Sequence, residues 1–268
     1  MSRTNWIQII EELSMNALPA LQTNVYDGWV LRFADGYTNR ANSVNPIYSS
    51  YQEVANKIST IEQTYRNRNL KPIFKMTKQA LPENLDENLA KNGYIQAGLT
   101  AVQVLPLEDV NIAVVHKAEF YQTFEEHWFN YYCHLNHISG SNQVTLAKML
   151  KNIVAKTAYF LLKNDSGEIL ACGMCVLERG YIGLFDIVTA SNCRNKGYGT
   201  VLIQNILDWG KDNGAQYAYL QVMLNNEPAL KLYSKIGFKE VYQILVQKQR
   251  LIGAGKMFTL IIYWELFF

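Results

Sequence analysis

Leu184-Phe-Asp-Ile-Val-Thr-Ala-Ser-Asn-Cys-Arg-Asn-Lys-Gly-Tyr-Gly-Thr-Val-Leu-Ile-Gln204 is the stretch whose reading decides the fold. The apolar, β-branched run from Tyr181 to Thr189 predicts a buried strand. A short polar turn, Ala190 to Cys193, leads into Arg194-Asn195-Lys196-Gly197-Tyr198-Gly199-Thr200. Beyond it Val201, Leu202, Ile206 and Trp209 recur at helical spacing. A strand, a glycine-containing turn and a helix start form a recipe for holding phosphate. The first turn of a helix carries unpaired N–H groups and the positive end of the macrodipole. Gly197 and Gly199 lack Cβ atoms, which lets an anion approach the backbone, and Arg194 and Lys196 add positive charge.

Three nucleotide-type patterns compete for this stretch. A Walker A loop is absent. A dinucleotide fingerprint fails at its third glycine, where Leu202 stands, and no acidic residue closes the next strand, Gln216 to Val222. Arg/Gln-x-x-Gly-x-Gly/Ala after a strand is matched by Arg194, Gly197 and Gly199. That stretch resembles the acetyl-CoA-binding motif of the GNAT acetyltransferase superfamily. Downstream, Asp212-Asn-Gly214 stops the helix, and Asn226 and Pro228 suit the start of another that Gly237 ends. Ala229, Leu232 and Ile236 are expected to face the core from that second helix. Asn226, Ala229, Leu232, Tyr233, Gly237 and Phe238 match the second hallmark of the superfamily, Asn-x-x-Ala-x-x-Leu-Tyr-x-x-x-Gly-Phe.

The resemblance implies an α/β fold (an α+β mixed sheet) with two GNAT-like domains. Each would have a central, mostly antiparallel sheet flanked by helices, and splayed strands would form a CoA cleft in the C-terminal one. Residues 113–268 are expected to be the acetyltransferase domain. Residues 1–112 are expected to be a degenerate, non-catalytic half, because Leu85 to Tyr94 parallels Ala229 to Phe238 without any Arg-x-x-Gly-x-Gly. The segment Asp27-Gly-Trp…Arg40-Ala-Asn-Ser43 is similar to a recurrent feature of tandem GNAT proteins.

The resemblance also implies acetyl-CoA as acyl-donor cosubstrate and a small-molecule or peptide amine as acceptor. The pyrophosphate is expected on the N–H groups of Lys196, Gly197, Tyr198, Gly199 and Thr200, with Arg194 and Asn195 alongside. Pantetheine is expected along Ile187, Val188 and Thr189, with Asn226 contacting it or ordering its loop. Tyr233 is the expected acid for the departing thiolate. Asp186, a carboxylate in an apolar run, is costly to bury unless paired. It reads either as the base for the acceptor ammonium or as a structural hydrogen bond or salt bridge, with Glu178 as the reserve base. A CoA-binding regulatory or scaffold protein without chemistry is the alternative.

Composition narrows the rest. The 268 residues are 49% hydrophobic and 18% charged, with a net charge of +2, so no whole-chain footprint for nucleic acid or membrane is expected. Four cysteines and no signal-peptide h-region at the N-terminus fit the cytoplasm. No metal site is expected: Cys172 and Cys175 would point to opposite faces of a strand, and Cys133, His134 and His137 do not complete a ligand set. Lys117 to His137 is expected to be one helix, rich in aromatics that suit either a cation or a core. Thr38 to Pro46 is expected to be a loop or edge strand, and Phe238 to Gln249 the last strand of the C-terminal half. The apolar tail, Arg250 to Phe268, leaves open a packed extra strand or an oligomer contact such as a homodimer.

Overall fold

Local signals set the elements of the computed structural model, which describes residues 3–108, 110 and 112–249. In chain order these are α1 (Arg3–Ala17), β1 (Gln22–Tyr26), β2 (Trp29–Phe33), β3 (Val44–Pro46), α2 (Val54–Arg66), β4 (Ile73–Met76), α3 (Leu85–Lys91) and β5 (Tyr94–Pro106). There follow β6 (Glu119–Tyr121), α4 (Glu126–Leu135), α5 (Gly140–Lys151), β7 (Lys156–Lys163), β8 (Ile169–Glu178) and β9 (Tyr181–Thr189). The chain continues with α6 (Tyr198–Asp212), β10 (Tyr217–Met223), α7 (Glu227–Ile236) and β11 (Lys239–Gln249). The elements form two compact units. One gathers the chain up to Ile9, Ala20–Ala101 and the chain from Tyr242; the other gathers Ile10–Pro19 and Val102–Val241.

In the first unit the strand order is β1-β2-β3-β4-β11. The β1–β2 and β2–β3 pairs are antiparallel, β3–β4 is parallel, and β11 runs antiparallel to β4 with Leu245 opposite Met76. In α2 the face formed by Val54, Ile58, Ile61 and Tyr65 is buried, and it packs with Trp29, Phe74 and Tyr94. Trp29 and Tyr94 meet Phe74 edge-on, with ring centroids 5.6 and 5.3 Å away. Each such side chain contributes about 1.5–3 kcal/mol of burial free energy.

The stretch expected to be a loop or edge strand is partly interior, because β3 lies between β2 and β4 and is fully buried. Side chains satisfy the backbone there. Asn42 accepts from the Ala34 and Gly36 N–H groups, at 2.8 and 3.0 Å, and Asn45 donates to the Val30 carbonyl at 3.3 Å.

Asp27-Gly28 joins β1 to β2 with both residues at positive φ, 42° and 81°, the turn form that matches strand twist. A Cβ on Gly28 would lie 2.0 Å from the Ser49 carbonyl oxygen. Gly28→Ala is therefore expected to cost about 2 kcal/mol or more, through clash and backbone strain together. Urea unfolding measures this, and an unchanged midpoint would mean the hairpin tip moves freely off residue 49.

In the second unit the order is β5-β10-β9-β8-β7-β6, with β5 entering from Val102. Leu107 N–H donates to the Gln216 carbonyl at 2.9 Å, which ties the end of β5 to the start of β10. The closing strands are thus exchanged. β11, expected to finish the C-terminal half, pairs with β4, while β5, from the N-terminal half, ends beside β10.

Lys117 to His137 is not one helix. Glu119–Tyr121 forms β6, antiparallel to β7, and α4 starts only after Glu125 accepts from the His127 N–H at 3.5 Å. Phe120 stacks on Phe160 at 5.5 Å and Glu119 pairs with Lys163, so cross-strand contacts override helical propensity. A second departure is α7, which has no buried residue; Ala229, Leu232 and Ile236 are only half-buried. Met1-Ser2 and the apolar tail, Arg250 to Phe268, for which a packed strand or an oligomer contact was expected, lie outside the described residues. Among the described residues no helix is long and apolar enough to cross a membrane.

Candidate functional site

The site forms where the second unit's sheet opens. Parallel pairing of β9 with β10 covers only Tyr181, Ile182 and Gly183 against Tyr217, Ala218 and Tyr219. From Phe185 onward β9 has no β10 partner in that ladder. A bulge lies on its other side, further along the strand. Cys172 pairs with Val188 and Met174 with Phe185, so Gly173 alone faces both Asp186 and Ile187. Asp186 sits at φ 54°, a left-handed conformation that Asp tolerates better than most residues. A Cβ on Gly173 would lie 2.5 Å from Ile187 Cδ1, so a larger residue there would have to displace the Ile187 side chain. Burial changes at the same place: Tyr181 to Phe185 are buried, whereas Asp186, Ile187, Val188 and Thr189 are half-buried.

Beyond the opening, a 3₁₀ turn (Ser191–Cys193) leads to Arg194, Asn195 at φ 61° and Gly197 at φ 85°. Gly197 is the N-cap of α6 and offers no side-chain acceptor, so the first-turn N–H groups have no side-chain cap. By contrast, Asn226 caps α7 by accepting from the Ala229 N–H at 3.3 Å. Arg194, Asn195, Lys196 and Gly197 are exposed, and Tyr198, Gly199 and Thr200 half-buried. The Arg194 Nε donates to the Thr189 carbonyl at 3.5 Å, turning the guanidinium group back toward the end of β9.

Gly199 differs from the expectation in its reason. Its Cβ would point at Leu232 Cδ2 (3.3 Å) and Thr189 Oγ1 (3.4 Å), so the missing side chain lets α6 start against α7 and β9. The end of β9, the start of α6 and Leu232 of α7 are therefore adjacent. Tyr233, the next residue, is half-buried and meets Phe238 edge-on at 5.8 Å.

Asp186 lies toward α4. Its charge adds to burial in pushing the Cys133 thiol up to about 11, and it raises Tyr159 and Cys172 as well, again after burial. These thiols are protonated near neutral pH and are poor nucleophiles. Of the aromatic run, Trp128, Phe129 and Tyr132 are buried core, whereas Tyr121 and Tyr131 are half-buried. Trp128 stacks on Tyr132 (5.3 Å) and meets Tyr159 at a tilt (4.8 Å), and its Nε1 donates to the Gly173 carbonyl at 3.1 Å, beside the bulge. Glu178 pairs across to Tyr181, at the other end of β9 from the opening, and accepts from Asn16 Nδ2 at 3.1 Å. Sequence reasoning missed the share of α1 in this unit: Ser14 Oγ accepts from Gln221 Nε2 at 3.0 Å, and Glu12 pairs with Arg179 at 3.0 Å. Only an amphipathic helix was legible there. Among the described residues no three His, Cys, Asp or Glu side chains group as a metal site.

A parallel strand pair that parts beside an arginine-glycine turn, in a mixed sheet flanked by helices, defines an acyltransferase of the GNAT superfamily. A sequence model of the family described as "Probable histone acetyltransferase Rv0428c C-terminal" matches residues 4–244, and the chain belongs to that family. It is 30% identical over 241 residues to the uncharacterized N-acetyltransferase YobR of Bacillus subtilis, covering 88% of this chain and 95% of that one. The fold is similar to a GCN5-related N-acetyltransferase from Kribbella flavida, with a TM-score of 0.70 at 14% identity over 91% of this chain and 96% of that chain. It is also similar to a tandem GNAT protein from the clavulanic acid biosynthesis pathway, with a TM-score of 0.61 at 10% identity, 92% and 89% being covered.

Proposed function

We propose that the chain is an acetyl-CoA-dependent N-acetyltransferase that moves the acetyl group directly to a primary amine of a small molecule or peptide. The observation that carries this reading is the parting of β9 from β10 next to the uncapped start of α6. The residues present fit the donor. Uncapped N–H groups from Lys196 to Thr200 suit a pyrophosphate, with Arg194 as counter-charge. Backbone groups of Ile187, Val188 and Thr189, beyond the last β10 pair, suit the amides of a pantetheine arm. Asn226 orders the start of α7. Residues 113–268 carry all these motifs, and residues 1–112 are assigned a non-catalytic part.

Acetyl-CoA would supply an acetyl group activated as a thioester. The chain's own residues do the rest. A β9 backbone N–H faces the charge that develops on the carbonyl oxygen, a contribution of about 3–4 kcal/mol in well-studied cases. Asp186 takes the proton of the acceptor ammonium, directly or through water, which frees the nitrogen lone pair. As the C–N bond forms and the C–S bond breaks, the Tyr233 phenol gives its proton to the leaving sulfur; its reference pKa of about 10 keeps that proton available. No covalent enzyme species is needed, because holding both reactants supplies much of the rate.

The test is titration with acetyl-CoA followed by thiol release against amines, including free peptide N-termini. Binding with release for one amine class is the expected result. Binding without release from any amine would favour the silent CoA-binding alternative, and no binding would remove the assignment of Arg194 to Thr200.

A further inference from the structure

The start of α2 in the first unit repeats the plan of the α6 start. There β3, residues 47–53 and α2 lead to β4, parallel to β3; here β9, residues 190–197 and α6 lead to β10, parallel to β9. In both units most residues of the turn before the helix are exposed. In the first it is filled from within. Asp27, at the tip of the β1–β2 hairpin, places its carboxylate in that turn. Its Oδ2 accepts from Ser50 Oγ at 2.9 Å and from Gln52 N at 3.0 Å, and Tyr51 N lies 3.1 and 3.2 Å from the two oxygens.

A buried ammonium completes the set. Lys57 Nζ is 3.0 Å from Asp27 Oδ2, with its side chain 0% exposed. It also donates to the Asp27 carbonyl (2.6 Å) and Ser50 Oγ (2.5 Å), and it lies 3.9 Å from the Trp29 ring centroid. Two successive N–H groups, a hydroxyl and an ammonium converging on one anion form the donor set that proteins use for a phosphate oxygen. The hairpin tip is held to this position, since Gly28 packs on Ser49 and its carbonyl accepts from Tyr48 N at 3.1 Å. The Gln52 N–H, with Tyr51, Lys57 and Ser50, keeps the Asp27 carboxyl well below the usual carboxylate range.

We propose that Asp27 is a built-in anion filling the phosphate-type site of the first unit, so that the chain takes one acyl-CoA, at the start of α6, and none at α2. The second half of this statement rests on the function proposed above; the first does not. Asp27→Gly removes the carboxylate without straining a residue at positive φ. The variant is expected to melt several degrees below wild type. Most of that gap should close in sodium formate, and not in sodium chloride of equal ionic strength. A gap of the same size in both salts would overturn the built-in anion. Should the glycine variant not fold, Asp27→Asn, which keeps the side-chain shape and removes the charge, is expected to melt several degrees below wild type in both salts, because its amide still fills the space; a melting temperature equal to wild type would overturn the built-in anion.

Calorimetric titration of the wild-type chain with acetyl-CoA is expected to give one site, lost in Gly197→Val. A second site that survives Gly197→Val would overturn the inference. No heat at all would overturn the proposed function, and the formate result would then decide on Asp27 alone.

Discussion

Gly197→Val is expected to weaken acetyl-CoA binding at least about a hundredfold while leaving the fold in place. Gly197 sits at φ 85°, and nothing lies within 4 Å of where its Cβ would be. The cost is therefore conformational. A β-branched residue disfavours this backbone region by about 1–3 kcal/mol. Relaxation of the exposed turn would rotate the N–H groups of Tyr198 and Gly199 away from a common anion. Because the turn is exposed, the melting temperature should shift little. The measurement is calorimetric affinity beside thermal unfolding. Unchanged affinity would detach the start of α6 from phosphate binding; a collapsed melting temperature would show that the turn holds the fold and would leave Arg194→Ala as the cleaner probe of charge.

Tyr233→Phe is expected to lower kcat by about a hundredfold, the low end of what a positioned acid contributes, with acetyl-CoA affinity within about twofold of wild type. The ring remains, so its edge contact with Phe238 persists and the loss is confined to one hydroxyl. A turnover loss matched by an equal affinity loss would make the phenol a binding group. Full activity would mean that solvent protonates the thiolate.

The strand from Tyr181 to Thr189, α6 and α7 were legible because their signals are local: a β-branched run, helical spacing, Asn226 before Pro228, and Gly237 at φ 110° as a stop. The bulge beside the sheet's opening was not. It depends on the register of β8 against β9, and only Gly173 and an acidic residue in an apolar strand hint at it. β6 was read as helix because its pairing partner, β7, lies some 40 residues downstream. The half-exposed face of α7 was missed for a related reason, since spacing shows which residues share a face and not what the face meets. Asp27 stood out only as the start of the segment Asp27-Gly-Trp…Ser43, and its carboxylate's destination, residues 50–57, was invisible without the hairpin's position. The strand exchange was equally hidden, as Phe238 to Gln249 would suit either sheet.

That exchange bears on the order in which the protein is made. Translation delivers residues from the N-terminus, and domains ordinarily fold as they emerge. The first unit cannot close in that order, because Met76 waits for Leu245, and β11 is complete only at Gln249. The second unit has all its residues once Val241 is out. So the unit holding most of the early sequence finishes after the other, and its β4 edge, an open template for strand pairing, stays exposed on the ribosome until β11 emerges. Long-range pairing of this kind is slow to form, which makes the nascent chain, rather than the finished protein, the stage most exposed to aggregation.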